Sequence, residues 1–167
     1  MTGFVVCGAT SWGVTLASVL SLNHERVVLL TRNEAEAEIV RERRGIERLP
    51  EVGLNSRVHV VAEPPSPDSV QGVVFAVPAQ SLRAASMRFV GYGGVPVLSA
   101  AKGIELSTGQ RMSEVLAQRW PVQLIAALSG PNLAHEVGRG LPAAAVVASS
   151  GVETALAWQR ALATPSF

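Results

Sequence analysis

The chain has 167 residues, 48% of them hydrophobic and 16% charged, with 14 Lys and Arg against 13 Asp and Glu. That balance suits one compact domain and excludes a disordered chain, which is poor in apolar residues and high in net charge. A net charge of +1, with three Trp, four Phe and one Tyr to stack on bases, argues against a dedicated nucleic-acid binder.

Short apolar runs alternate with helical patterns along the chain. Residues 4–7 (FVVC) predict a first strand, and Trp12, Leu16, Val19 and Leu20 recur at helical spacing across 11–22. RVVLL at 26–30 predicts a second buried strand. Residues 34–44, rich in Glu, Ala and Arg, predict a helix with Gly45 as its stop. The stretch 46–55 lacks periodicity and is expected to be a loop. A short strand is expected at 59–62, a turn at Pro64-Pro65-Ser66-Pro67, and a clear strand at 72–77 (GVVFAV).

Further along, a helix is expected at 80–89 and a turn at Gly91-Tyr92-Gly93-Gly94. A strand at 95–100, a helix at 108–120, strands at 123–128 and 143–148, and a helix at 152–163 follow. Strands that are apolar throughout belong in a parallel sheet covered on both faces. Repeated strand–helix units therefore predict an α/β fold with a doubly wound, mostly parallel sheet, spanning 1–167 as one domain.

The first strand runs into Gly8-Ala9-Thr10-Ser11-Trp12-Gly13, a G-x-G-x-x-G turn with threonine at its middle glycine. The first glycine permits the tight turn and the last allows close helix–strand packing, while the helix N-terminus offers N–H groups to a pyrophosphate. Its position between strand and helix favours a Rossmann-type dinucleotide site over a turn that merely needs glycine. The β-branched Thr10 either pushes the diphosphate outward or turns its hydroxyl toward it.

The second strand ends Leu29-Leu30-Thr31-Arg32-Asn33, with Arg32 where NAD-specific sites place an acid. An arginine suits a 2′-phosphate and favours NADP(H) over NAD(H). Glu34, two residues on, keeps NAD(H) as the alternative.

Three more segments follow predicted strand ends: Val77-Pro78-Ala79-Gln80-Ser81-Leu82-Arg83, Ala100-Ala101-Lys102-Gly103-Ile104-Glu105, and Leu128-Ser129-Gly130-Pro131-Asn132-Leu133-Ala134-His135-Glu136-Val137. With GATSWG, and continuing through Gly140-Leu141-Pro142-Ala143-Ala144, they resemble the bacterial-type NAD(P)-dependent glycerol-3-phosphate dehydrogenases over nearly the whole chain. The resemblance implies reduction of dihydroxyacetone phosphate to sn-glycerol 3-phosphate for glycerophospholipid synthesis. It also implies cofactor contacts at Ser11, Trp12, Arg32, Lys102 and Ala134, beside Gly8, Thr10 and Gly13 of the turn. Lys102, Gly130 and Asn132 would meet the phosphorylated substrate. Asn132 and Leu133 stand where the family usually has Ser or Thr followed by Phe. The family's catalytic lysine lies in a helical C-terminal domain, and no matching segment occurs before Phe167, so this chain is expected to bind cofactor with little turnover. A homodimer is an open expectation.

Other readings are a ketopantoate reductase-like domain, a non-catalytic NADP-binding or redox-sensing module, and a methyltransferase, against which Arg32 counts. No apolar run approaches the ~18 residues of a membrane span, and no basic leader precedes an apolar stretch. With Cys7 as the single cysteine, a cytoplasmic protein is expected. His24, His59 and His135 lack metal-ligand spacing.

Overall fold

The computed structural model describes residues 3–167. Its strands are β1 (Gly3–Cys7), β2 (Val27–Leu30), β3 (Val58–Val61), β4 (Val70–Phe75), β5 (Val97–Ser99), β6 (Ile125–Ser129) and β7 (Val146–Ser149). Its helices are α1 (Ser11–Asn23), α2 (Glu34–Arg43), α3 (Leu82–Ser86), α4 (Met112–Ala117), α5 (Ala134–Gly138) and α6 (Val152–Leu162). One sheet holds all seven strands in the order β3-β2-β1-β4-β5-β6-β7. The first six run parallel, and β7 lies antiparallel to β6.

This is the doubly wound α/β fold expected from the sequence, and alternation along each strand explains its apolar runs. Phe4 and Val6 of β1 enter a core shared with α1, α2 and α6, while Val5 and Cys7 enter another shared with α3 and α4. A strand serving two cores has no polar face. In β7 the rule lapses, because Val146 is 65% exposed and the strand forms the sheet edge.

Several expected boundaries shift. The helix expected at 80–89 is a 3₁₀ turn, Ala79–Ser81, followed by the short α3. The helix expected at 108–120 shrinks to α4, since Ile104 bridges to Arg111 and Glu105 O accepts the Gly109 N–H. Gly45 does not end α2. Arg44 does, in a left-handed conformation with φ 50°, held by hydrogen bonds from its guanidinium to the carbonyls of Leu54 (3.2 Å), Asn55 and Val58 (3.3 Å). Three carbonyl contacts thus stabilise a conformation that ordinarily favours glycine. The stretch 46–55 is irregular as expected, yet it buries Leu49, Val52 and Leu54 in the core.

Gly72 sits in β4 beneath the buried indole of Trp158. A Cβ there would lie 2.7 Å from Trp158 Cη2 and 3.1 Å from Phe4 Cε1. Gly72→Ala is therefore expected to destabilise the fold by about 1–3 kcal/mol, read as a lower urea midpoint at unchanged slope. An unchanged midpoint would show that the Trp158 pocket has slack.

Candidate dinucleotide site

The strand order reverses direction between β1 and β4, and at such a point the C-terminal strand ends part to leave a crevice. A cleft of about 1330 Å³ opens there. Gly8, Thr10, Ser11, Trp12, Arg32, Lys102, Asn132 and Ala134 all line it, whereas Gly13 and Gly130 do not.

Gly8 leaves β1 with φ 113°, and a Cβ on it would lie 2.8 Å from Val77 Cγ1. Gly13 is a packing position, since any Cβ there would collide with the Gly8 carbonyl oxygen. Thr10 caps α1. Its backbone is extended (φ −85°, ψ 168°), and its hydroxyl oxygen accepts from Gly13 N–H (3.0 Å) while donating to the Ala76 carbonyl (2.7 Å). The threonine thus ties the turn to the end of β4, and its proton is committed to the protein. Among the described residues no protein acceptor meets the backbone N–H of Ser11 or Trp12. These amides open α1, whose first turn carries no acid, so both hydrogen bonding and the helix dipole favour an anion there.

On the β2 side of the turn, Arg32 is exposed and bound to Glu36. Its backbone N–H donates to Oε2 (2.8 Å) and its Nη2 to Oε1 (3.1 Å). The acid beside Arg32 is therefore Glu36, which lines the cleft. Glu34 does not, and instead pairs with Arg41. Arg88 also reaches the cleft from beyond α3, donating to the carbonyls of Thr31 (2.8 Å) and Ala62.

On the β5 side, Lys102 Nζ donates to the Gly130 carbonyl (2.8 Å), joining the segments after β5 and β6. A Cβ on Gly130 would lie 2.6 Å from Asn132 Nδ2 and 2.9 Å from Ala144 O, so that corner admits no side chain. Ala134 is held at the cleft by Thr15 of α1, whose hydroxyl donates to its carbonyl (2.9 Å).

Sequence reasoning missed the device that holds the Lys102 segment. Arg83 and Glu105 form a two-pronged ion pair, Nε to Oε1 and Nη2 to Oε2, both 2.8 Å, and Thr108 Oγ1 adds a 2.6 Å bond to Oε2. Gln80 fastens the same loop, donating to Ile104 O (2.8 Å) and accepting from Leu106 N–H (3.0 Å). The bonds from Arg83 and Thr108 hold the Glu105 carboxyl at about 2, well below the usual carboxylate range. Trp12 is half-buried and meets Phe167 edge-on. Cys7 is buried at the end of β1, and burial pushes its thiol up to about 12, so it is no nucleophile.

The model of the family described as NAD-dependent glycerol-3-phosphate dehydrogenase N-terminus matches residues 4–155. The chain belongs to this family. A glycerol-3-phosphate dehydrogenase [NAD(P)+] of Bradyrhizobium sp. (strain BTAi1) is 38% identical over 164 residues, covering 97% of this chain and 50% of the relative. The protein of that name from Desulfitobacterium hafniense is 35% identical over 170 residues, covering 100% and 48%. The glycerol-3-phosphate dehydrogenase structure from Coxiella burnetii superposes with a TM-score of 0.86 at 22% identity, over 99% of this chain and 52% of that one. The last of these speaks for the fold. The chain spans about half the length of the curated relatives it matches. Membership of the glycerol-3-phosphate dehydrogenase family sets aside the ketopantoate reductase-like and methyltransferase readings. No helix among the described residues is long and apolar enough to cross a membrane.

The hydrogen bonds at this cleft can be tested directly. Thr10→Ala removes the α1 cap and the bond to Ala76, and should cost about 1–2 kcal/mol of stability in urea unfolding. Glu105 contributes stability above its ordinary value of 4.5, and that contribution is lost as pH falls from there toward 2. Glu105→Gln should melt below the parent chain at pH 7, and the gap should narrow across that acid window in thermal melts. A gap independent of pH would show that the ion pair contributes little.

Proposed function

We propose that the chain is the dinucleotide-binding domain of a glycerol-3-phosphate dehydrogenase, with NADP(H) preferred and NAD(H) accepted. The carrying observation is the pair of unpartnered amides of Ser11 and Trp12 at the cleft, with Arg32 and Lys102 on opposite sides of them in the strand order. These amides hold the diphosphate through hydrogen bonds aligned with the α1 dipole. With the Thr10 proton committed to Ala76, this contact is made by backbone alone.

Arg32 meets the adenosine 2′-phosphate, its planar guanidinium matching the oxygens in pairs. Lys102 lies on the substrate side, where its ammonium attracts the phosphate or polarises the carbonyl of dihydroxyacetone phosphate. Gly130 holds that ammonium through its carbonyl, and Asn132 offers both a donor and an acceptor to the substrate. When bound, the nicotinamide supplies a hydride to the carbonyl carbon. The proton for the oxygen is assigned to a lysine of a helical catalytic domain, and the residues of this chain hold and orient cofactor and substrate. The product, sn-glycerol 3-phosphate, feeds glycerophospholipid synthesis, and the cytoplasm is the compartment proposed for it.

A fluorescence titration of the chain with NADPH and NADH tests the reading. Both should bind, and Arg32→Ala should weaken NADPH roughly ten- to a hundredfold while changing NADH little. Equal NADPH affinity with and without the arginine would remove Arg32 from the site. Absence of binding by either nucleotide would overturn the proposal.

A further inference from the structure

Arg32 carries the charge that suits a 2′-phosphate, yet its guanidinium does not stand free. Glu36, on the first turn of α2, accepts both the backbone N–H and Nη2 of Arg32. The glutamate side chain is 27% exposed against 81% for the arginine. The carboxylate is therefore the anchored member of the pair, and the arginine is the one able to swing. The Asn33 cap helps to anchor it, because Asn33 Oδ1 accepts the Glu36 N–H (2.9 Å) and fixes the first turn.

The other charges at this end of the cleft have their own arrangements. Arg88 is tied to the carbonyls of Thr31 and Ala62, and Arg43 lies 3.7 Å from Glu47. Arg48 lines the cleft from the loop after α2. Neither Arg43 nor Arg48 forms an ion pair with Glu36.

A carboxylate just past the second strand can accept from a ribose 2′-hydroxyl. The same carboxylate repels a 2′-phosphate. We infer that Glu36 is a specificity-determining residue of this site, accepting from the 2′-hydroxyl of NAD(H) and opposing the 2′-phosphate of NADP(H). This deepens the function proposed above and rests on it. With NAD(H) the Arg32–Glu36 pair stays closed. With NADP(H) the guanidinium leaves Glu36 for the phosphate, and a negative charge remains beside a dianion. At roughly 5 Å and water-like screening, that repulsion amounts to about tenfold in affinity.

The experiment compares NADPH and NADH affinities, by fluorescence titration of the full chain, for the parent, Glu36→Gln, Arg32→Ala and the double variant. Glutamine keeps an oxygen for the Arg32 N–H and removes the charge. Glu36→Gln should tighten NADPH by about tenfold and weaken NADH severalfold. The gain for NADPH should persist in the Arg32→Ala background, because the repulsion acts on the phosphate and not through the arginine. Glu36→Ala carries the same test and should shift the NADPH-to-NADH ratio in the same direction if the amide disturbs the α2 cap. Binding of both nucleotides with a ratio unmoved by either Glu36 variant would overturn this inference and leave the proposed function standing. A gain for NADPH that vanishes without Arg32 would also overturn it, reducing Glu36 to a restraint on the arginine. Failure of the parent chain to bind either nucleotide would overturn both.

Discussion

The cleft depends on the contact between the backbone of Gly13 and the carbonyl of Gly8. No side chain fits between them, so α1 starts directly against the end of β1. That approach sets the direction of the helix and aims its first amides at the crevice. It also lets α1 sink into the sheet, where Val14, Leu16, Ala17 and Leu20 are fully buried. Thr10 works within the same constraint. The common middle glycine makes room by having no side chain, whereas threonine folds its side chain back onto Gly13 N–H and Ala76 O. The turn thereby gains a cap and a link to β4, and the outer face of the amides remains open.

The two ends of the cleft are held in different ways. At the β5 end, Glu105 is buried and receives three side-chain hydrogen bonds from Arg83 and Thr108. A carboxylate so placed must stay paired, because removing one partner leaves a desolvated charge. Lys102 therefore sits on a loop fixed on both sides, by this ion pair and by its own bond to Gly130. At the β2 end, Arg32 and Glu36 meet near the surface, where an ion pair stabilises little and exchanges partners readily. In the function proposed here, the rigid end holds the reacting atoms and the adaptable end the distant recognition group.

Long-range bonds make a single frame of these parts. Thr15 of α1 reaches Ala134 of α5, and Thr10 reaches the end of β4. Each joins the glycine turn or the helix it opens to a segment more than 60 residues away. Stability and site geometry are thus supported by the same hydrogen bonds.

The apolar runs, the glycine turn and the four motif segments were readable from the chain because each is a local pattern. The strand order, with β4 joining the sheet on the side of β1 away from β2, was not among those patterns and is a property of the assembled sheet. Where side chains take partners far along the sequence, local reading failed. Arg83 and Glu105 lie 22 residues apart, and neither spacing nor residue type announces their pairing. Arg44 in a glycine's conformation was likewise decided by distant carbonyls. The shortening of the helix expected at 108–120 has a local origin instead, since Ile104 and Glu105 bond to Arg111, Gln110 and Gly109 across a tight loop in place of a first helical turn. Glu36 was overlooked in favour of Glu34 because position in sequence was read as position in space. On a helix, the third residue after the cap turns back toward the preceding strand end, while the first points away. Local periodicity and turn chemistry determine which elements form. The assembled sheet alone decides which charged groups meet, because an ion pair depends on distance in space and a sequence records only distance along the chain.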